Sequence, residues 1–320
     1  MTDDERWMGA ALAIAARGRG RTAPNPSVGC VIVTGGRVVG RGWTQPGGRP
    51  HAEAMALAEA GEAARGATAY VTLEPCAHES RRGPACADLL AAAGVARVVA
   101  ALRDPDPRTD GVGLARLTAA GIETACGQRE IDARRSMAGF LARQRLGRPH
   151  VTLKLALSLD GGVAMGDGRS QWITGPEARA HAHLERSRHE LILVGAGTLA
   201  ADAPRLDVRL PGLEDRGPMR VLLSRRGDAP AGWLAIRELG AIADLPGDHL
   251  LVEGGAAAAA AFLSAGLVDR LIVYRAPILI GAARTLGDIG LTDLGQAHGR
   301  WVLEDRRTLG VDTLEVYGRA

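Results

Sequence analysis

Three short pieces of the sequence carry side chains that could hold a metal ion beside an acid–base group. His51 is followed two positions later by Glu53, Cys76 follows Pro75, and Cys86 comes ten residues after Cys76. One imidazole and two thiolates are ligands that zinc prefers, and they leave its fourth position open for water. Zinc lowers the pKa of that water, so hydroxide becomes available near neutral pH. The pattern therefore predicts a catalytic zinc site with His51, Cys76 and Cys86 as ligands.

Glu53 is the acidic residue that this ligand set does not need. Hydrolytic loss of an amine requires a group that takes a proton from water and passes it to the departing ammonia. A structural zinc site, by contrast, has a closed shell of four protein ligands. The alternatives to a catalytic site are such a structural zinc, a zinc module used for protein interaction, or unrelated residues. We interpret Glu53 as the catalytic residue because a spare carboxylate has no use in a closed site.

The elements around these residues are predicted to bring them together. The pattern predicts a helix over residues 51–64, a strand over 68–73 and a helix over 84–93. The histidine and the second cysteine then open helices, and the first cysteine follows a strand. Helix N termini carry partial positive charge, which favours thiolates.

The rest of the first half alternates helices with single strands. We expect helices over residues 1–17, 114–120 and 128–146, and strands over 28–33, 37–44, 96–102 and 122–125. This alternation indicates an α/β layer fold. The other two cysteines, Cys30 and Cys126, lie in apolar surroundings, and we expect both to be buried.

A Gly-Arg-Pro break at residues 147–149 predicts a boundary between two domains, residues 1–147 and 148–320. Strands are expected over residues 151–157, 190–194, 220–223, 249–252 and 270–274, with a strand pair over 301–317; residues 228–247 show no clear pattern. Glycine-rich turns follow two of these strands, at residues 195–198 and 253–255. Such turns let phosphate approach the backbone, although each one alone is more typical of a tight turn.

Composition limits the classes of function. The chain has 320 residues, a net charge of +3 and 3% aromatic residues, so we expect small polar substrates and no nucleic-acid partner. A nucleic-acid deaminase is a minor alternative. The acidic start (Asp3, Asp4, Glu5) is unlike a signal peptide, and we expect no membrane partner because no apolar run approaches about 18 residues. Four cysteines do not suggest a disulfide framework. We therefore expect a cytoplasmic protein, and also a homo-oligomer.

Longer segments resemble a known family. Residues 22–33 (TAPNPSVGCVIV), 51–53 (HAE) and 72–78 (TLEPCAH) resemble the cytidine-deaminase superfamily, in particular the bifunctional deaminase/reductase family of riboflavin biosynthesis. Residues 151–161, 170–174, 197–209 and 252–255 are similar to the reductase half of that family. The resemblance implies an α/β fold with an N-terminal cytidine-deaminase-like three-layer domain and a C-terminal dihydrofolate-reductase-like domain.

The resemblance also implies two reactions. A zinc-dependent hydrolase would deaminate a diaminopyrimidinone that carries a ribosyl phosphate. An NADPH-dependent oxidoreductase would then reduce the ribosyl group to a ribityl chain. The cofactors implied are Zn²⁺ and NADPH, and the partner is a small phosphorylated pyrimidine.

Individual site residues carry over from the family by position. In the first domain, Asn25 and His78 would contact the substrate. The simpler alternative for Asn25 is a role in a turn, and His78 alone would be typical of the surface. In the second domain, the residues facing NADPH would be Ala156, Trp172, Thr198, Asp202, Ser224, Gly255, Ala256, Ala257, Ala258, Ala259, Ala260 and Ala261. Those facing the substrate would be Ser170, Arg186, Leu206, Arg209 and Glu253.

Some of these assignments also make physical sense from the residue types. The guanidinium forks of Arg186 and Arg209 suit a ribose phosphate, although each arginine alone would be typical of a solvated surface. Glu253, at a strand end, suits ribose hydroxyls. Lys154, on the first strand of the second half, is a further candidate for polarising the sugar carbon.

The sequence departs from the family pattern in two places. One extra residue lies between Cys76 and Cys86, which leaves Arg81 or Arg82 to supply the basic substrate contact expected there, unless both are simply solvated. The region between Arg220 and Val252 is shorter than is usual in the family. This shortening raises the alternative of a single-function deaminase with a degenerate reductase-like domain.

Overall fold

The structure, a computed structural model, describes residues 2–78 and 82–320. The chain divides into two compact units, Met1–Gly147 and Arg148–Ala320. Gly147 has a left-handed φ of 66° and caps the last helix of the first unit. A glycine in this conformation ends a helix without steric cost, so the division falls at the Gly-Arg-Pro break.

The first unit is an α/β layer structure. Its elements are α1 (Asp3–Ala15), β1 (Gly29–Thr34), β2 (Arg37–Trp43), α2 (Ala52–Ala60), β3 (Thr68–Val71), α3 (Cys86–Ala92), β4 (Arg97–Ala100), α4 (Val112–Ala119), β5 (Glu123–Cys126), α5 (Glu130–Ser136) and α6 (Ala138–Leu146). The strand order is β2-β1-β3-β4-β5. Strand β1 is antiparallel to β2 and β3, whereas β3, β4 and β5 are parallel.

Glycines in the sheet show that helices cover both of its faces. A Cβ on Gly29 would lie 2.0 Å from the Ala11 carbonyl oxygen of α1, and one on Gly42 would lie 2.2 Å from the Ala52 carbonyl oxygen of α2. Gly42 is paired with Cys30, the neighbour of Gly29. Because successive residues of a strand point to opposite faces, α1 and α2 pack on opposite sides of the sheet. The unit therefore has the predicted three layers.

The second unit has a larger sheet. Its elements are β6 (His150–Leu157), α7 (Pro176–Arg186), β7 (Leu191–Gly195), α8 (Ala196–Asp202), β8 (Met219–Leu223), β9 (Leu234–Ile236), β10 (His249–Val252), α9 (Ala256–Ser264), β11 (Arg270–Arg275), β12 (Trp301–Leu309) and β13 (Asp312–Arg319). The strand order is β12-β13-β11-β6-β10-β7-β8-β9. Strands β11, β6, β10, β7, β8 and β9 are parallel, and β13 is antiparallel to β11 and β12.

Two helices cover opposite faces of this second sheet. Ile272 and Tyr274 of β11 pack with Ala178 and Ala182 of α7. The other face of the sheet is apolar at β6, where it packs with Phe262 of α9. Parallel strands end at the same edge of a sheet, so the carboxyl ends of β6, β10 and β7 lie together, where ligands bind in open α/β sheets.

The structure corrects three expectations for the first unit. Residues 128–146 form two helices, because Met137 at their junction leaves the helical conformation (φ −107°, ψ 21°) while its side chain is buried. Cys126 is exposed, since it ends the edge strand β5, whereas Cys30 is buried as expected. The helix expected over residues 51–64 ends at Ala60 and continues as a 3₁₀ turn.

In the second unit the expected strands are present, including the C-terminal pair β12 and β13. The unpatterned residues 228–247 contain only the short strand β9 and a 3₁₀ segment. Helices α7 and α8 were not anticipated. Across residues 2–78 and 82–320, the structure contains no helix with the length and apolar character needed to cross a membrane.

Candidate active sites

The three predicted metal ligands lie together in the first unit. Ligand atoms of His51, Cys76 and Cys86 are all within 4.8 Å of one another. His51 Nδ1 lies 3.3 Å from Cys86 Sγ and 3.7 Å from Cys76 Sγ. One nitrogen and two sulfurs at these separations fit a zinc ion with one position left open.

Each ligand is held by the end of a regular element. His51 is the N-cap of α2, and Cys86 is the first residue of α3. Cys76 lies in the loop between β3 and α3, and its Sγ accepts a hydrogen bond from the Cys86 backbone N–H at 3.3 Å. The Cys86 thiol also donates to Cys76, and this hydrogen bond lowers the pKa of Cys76 to about 4. A lowered pKa favours the thiolate, the form in which cysteine binds metal.

Glu53 lies beside the metal ligands in the first turn of α2, and the residue is only 3% exposed. Burial raises the pKa of this carboxyl to about 7. A carboxyl with this pKa can both take and give a proton near neutral pH.

Asn25 borders this centre, and His78 lies two residues after Cys76 in the chain. The Asn25 amide nitrogen lies 2.9 Å from His51 Nε2 and donates to the Gly48 carbonyl at 3.0 Å. Asn25 thus contacts the side of the His51 ring that faces away from the sulfurs. His78 Nδ1 lies 3.5 Å from the Thr109 hydroxyl.

The basic contact expected between the two cysteines is only partly described. Arg82 Nη2 donates to the Gly47 carbonyl at 2.6 Å. Arg81 lies outside the described residues.

A cleft of about 930 Å³ lies at the carboxyl ends of β6, β7 and β10 in the second unit. Its lining includes all five predicted substrate-facing residues: Ser170, Arg186, Leu206, Arg209 and Glu253. It also includes eight of the predicted cofactor-facing residues: Ala156, Trp172, Thr198, Asp202, Gly255, Ala256, Ala257 and Ala258.

Four predicted cofactor-facing residues are not part of this lining. Ser224, at the end of β8, is buried and donates its hydroxyl to the Arg226 carbonyl. Ala259, Ala260 and Ala261 lie further along α9; Ala259 and Ala260 are buried, because by this point the helix packs on the sheet.

Glu253 is a buried anion of this cleft, with a side chain only 6% exposed. Arg186 donates to both of its oxygens, from Nε at 2.7 Å and from Nη2 at 2.9 Å. Lys154 Nζ lies 3.8 Å from Oε2. Burial alone would raise the pKa of Glu253, but Lys154 and Arg186 hold it at about 2. The Arg186 fork, expected to grip a phosphate, is thus engaged with Glu253.

The part of the cleft that begins two residues after Glu253 suits a dinucleotide. Helix α9 begins there with Gly255 as its N-cap, and the Gly255 N–H donates to the Thr198 hydroxyl at 2.8 Å. A helix N terminus offers free N–H groups to a phosphate. Trp172 is 64% exposed, with the Arg179 guanidinium 4.9 Å from its ring centroid. These residues fit NADPH.

Comparison with known proteins identifies the family. The family model "RibD C-terminal domain" matches residues 149–313, and the model "Cytidine and deoxycytidylate deaminase zinc-binding region" matches residues 1–102. The riboflavin biosynthesis protein RibD of Escherichia coli is 43% identical, over 97% of this chain and 97% of its own length. This chain belongs to the RibD family.

Other RibD proteins agree along nearly the whole chain. The Mycobacterium tuberculosis RibD is 40% identical over 96% of this chain and 95% of its own length. The structure of Acinetobacter baumannii RibD (form 1) has a TM-score of 0.89 at 38% identity, covering 99% of both chains. A Thermotoga maritima diaminohydroxyphosphoribosylaminopyrimidine deaminase/5-amino-6-(5-phosphoribosylamino)uracil reductase has a TM-score of 0.89 at 30% identity and the same coverage.

Membership of the RibD family confirms the predicted fold class, activities and cofactors. The chain is a bifunctional enzyme of riboflavin biosynthesis, with a zinc-binding deaminase domain followed by an NADPH-dependent reductase domain. The alternative of a degenerate reductase-like half is not supported, because the RibD model extends through that half.

Sequence reasoning missed several cleft residues of this RibD chain. Arg179, Arg205 and Arg284 also line the cleft. Arg205 could have been found from the sequence, because it directly precedes Leu206, which was predicted to face the substrate. Arg179 could have been found from Pro176 at the start of α7 and the spacing of Ala178 and Ala182.

Proposed function

We propose that residues 1–147 deaminate a diaminohydroxyphosphoribosylaminopyrimidine and that residues 148–320 then reduce 5-amino-6-(5-phosphoribosylamino)uracil. These are the two compounds in the name of the Thermotoga maritima relative. The observation that carries the first step is the convergence of His51, Cys76 and Cys86 beside the buried carboxyl of Glu53. The cleft around Glu253 supports the second step.

In the deaminase step, His51, Cys76 and Cys86 would hold zinc. When bound, zinc supplies a Lewis acid that makes water a nucleophile near neutral pH. Glu53 takes the proton from the attacking water and delivers it to the departing amine, so that water is consumed and ammonia leaves. Asn25 holds the His51 ring and, with His78, contacts the pyrimidine.

In the reductase step, NADPH supplies the hydride when bound. The chain itself positions the two reactants, with the N terminus of α9 on the cofactor side. Arg209, whose side chain is 48% exposed, binds the ribose phosphate. Glu253, fixed by Arg186, accepts hydrogen bonds from ribose hydroxyls. Lys154, whose Nζ lies 3.8 Å from Glu253, would polarise the sugar carbon.

A two-part assay tests this proposal on the purified wild-type chain. We expect ammonia release from the diaminopyrimidine substrate, followed by NADPH consumption. Ammonia release without NADPH consumption, even when the deaminated intermediate is supplied, would leave only the first step.

The metal ligands are tested by metal analysis of Cys86→Ser, with Cys126→Ser as the matched control. The Cys86 variant should lose most of its zinc because a strong anionic ligand is removed. The control should keep one zinc per chain, since Cys126 is exposed and outside the cluster. Full zinc retention by Cys86→Ser would remove Cys86 from the ligand set.

The setting of the enzyme is also a proposal. We place it in the cytoplasm because the thiolate ligands need a reducing compartment. The net charge of +3 and the 3% aromatic content support small-molecule substrates without nucleic acid. A homo-oligomer is supported by the edge strand β12, where Val302 and Leu303 are 53% and 51% exposed. A mass of 33.3 kDa by light scattering would instead indicate a monomer.

A further inference from the structure

Helix α7 presents two side chains, one turn apart, to the segment that carries Arg209. His183 Nδ1 lies 3.1 Å from the Asp207 carbonyl oxygen, and Arg186 Nη1 donates to the same oxygen at 3.0 Å. Residues three apart on a helix share a face. The two side chains therefore fix the backbone of this segment where it enters the cleft.

His183 also reaches the Arg209 side chain. Its Nε2 lies 3.2 Å from Arg209 Nη2, and Arg209 Nη1 lies 3.2 Å from Asp207 Oδ1. An arginine has five N–H donors. With one directed at His183 and Nη1 in an ion pair with Asp207, the remaining donors can bind a ligand in the cleft.

The contacts select one tautomer of His183. With the proton on Nδ1, the ring donates to the Asp207 carbonyl and its Nε2 accepts from Arg209. With the proton on Nε2, it would face the Arg209 guanidinium donor to donor. That tautomer would gain only the Arg209 backbone N–H, 3.3 Å from Nδ1, a hydrogen bond that the first tautomer gives up. The first tautomer therefore satisfies the side-chain contacts better.

The surroundings keep this imidazole neutral. The charged groups that face it are Arg186 on its own helix, Arg209 and Glu253. Burial and the two guanidinium groups lower the pKa of His183. The ring is thus an acceptor near neutral pH.

We propose that His183 is a positioning residue of the reductase site, whose neutral imidazole accepts a hydrogen bond from Arg209 and holds that guanidinium ready for the substrate phosphate. The inference rests on the proposed function, because it takes Arg209 as the phosphate-binding residue.

A pair of variants of similar size tests the acceptor. His183→Leu cannot accept a hydrogen bond, whereas the amide oxygen of His183→Gln can. For the leucine variant we expect a roughly three- to tenfold higher KM for the deaminated intermediate, because one hydrogen bond is lost. The kcat and the KM for NADPH should be nearly unchanged. The glutamine variant should restore most of the wild-type KM. His298→Leu, at an exposed histidine outside the cleft lining, is the control and should match the wild type.

A double-mutant cycle separates positioning from general stability. If His183 acts through Arg209, His183→Leu should add nothing to the KM of Arg209→Ala. Additive effects, or a glutamine variant as impaired as the leucine variant, would overturn the inference. If Arg209→Ala alone leaves the KM for the deaminated intermediate unchanged, the proposed contact between Arg209 and the substrate phosphate is wrong.

The wild-type chain also gives a direct test of the tautomer. Nitrogen-15 NMR of the histidine rings should show His183 as the neutral Nδ1–H tautomer at pH 7, with its signal assigned by its absence from His183→Gln. An imidazolium or an Nε2–H tautomer would overturn the inference.

Discussion

At the scale of single residues, two buried glutamates illustrate how surroundings set the role of a carboxyl group. Glu53 and Glu253 are both almost fully buried. Burial raises the pKa of Glu53 to about 7, whereas Lys154 and Arg186 hold the pKa of Glu253 at about 2 against the effect of burial. The first can exchange a proton, and the second remains a fixed anion.

Replacing Glu53 by glutamine should abolish deamination without removing the metal. The amide is nearly isosteric but cannot carry a proton, so we expect kcat for ammonia release to fall about 100- to 10,000-fold. Metal analysis should still find one zinc per chain. Glu59→Gln, an exposed glutamate on the same helix, is the control and should retain full activity. Near-normal ammonia release by Glu53→Gln would exclude it from proton transfer.

Replacing Glu253 by glutamine should destabilise the protein in a pH-dependent way. Arg186 and Lys154 would lose their anion, at a cost of about 3–5 kcal/mol in the free energy of unfolding near pH 7. The folded-state pKa of Glu253 is lowered from 4.5 to about 2, so the stability that its carboxylate provides is fully present above pH 4.5 and is lost as the pH falls towards 2.

Thermal unfolding of the wild type and Glu253→Gln, compared at pH 7 and below pH 4.5, measures this effect. The difference in melting temperature should shrink in acid. The exposed Glu238→Gln should show little difference at either pH. A gap for Glu253→Gln that stays constant with pH would contradict the ionised carboxylate.

At the scale of elements, close packing of a helix on a strand places the metal ligands. Helix α2 lies against β2 where a Cβ on Gly40 would be 2.1 Å from the Ala56 carbonyl oxygen. Gly42 makes the same kind of contact with α2 one helical turn nearer its N terminus, beside His51 and Glu53. The lack of a side chain at these positions thus sets how deeply the helix sits on the sheet.

Gly42→Ala should therefore weaken the metal centre. The added methyl would lie 2.2 Å from the Ala52 carbonyl oxygen and 2.6 Å from Met55 Cβ, so the start of α2 must move. We expect lower zinc content and slower ammonia release, with NADPH consumption from the deaminated intermediate retained. Gly240→Ala, where a Cβ meets nothing within 4 Å, is the control for both activities. Unchanged zinc content in Gly42→Ala would show that the helix position is not limiting.

At the scale of the whole molecule, the two sites are built on separate units. The metal cluster lies within Met1–Gly147, and the cleft lies within Arg148–Ala320. Each unit has its own sheet and its own buried apolar cluster. We therefore expect the two reactions to fail independently when single residues are changed.

Crossed assays of two variants measure this independence. Glu53→Gln should consume NADPH normally when given the deaminated intermediate. Arg209→Ala should release ammonia normally. Its KM in the reductase step should be roughly ten- to hundredfold higher, because a charge-assisted contact with the substrate is lost. A variant that loses both activities while remaining folded would contradict independent sites.

Much of the fold could be predicted because its signals are local. Alternating apolar runs identified the strands, and a histidine, a carboxylate and two cysteines at element ends identified the metal centre. The break at Met137 was missed because the surrounding residues continue a helical pattern. The exposure of Cys126 was missed because composition does not reveal that β5 is an edge strand.

The sequence by itself determined which residues have the chemistry for a metal centre and a phosphate site, since residue types and short spacings are properties of the chain. The tertiary structure decided which partner each side chain meets. Arg186 and Glu253 are 67 residues apart in sequence, and only the parallel packing of β6, β10 and β7 with α7 brings the guanidinium to the carboxylate. The Arg186 fork, which from its residue type alone could bind a phosphate, is thereby engaged with Glu253, because a buried charge must be paired.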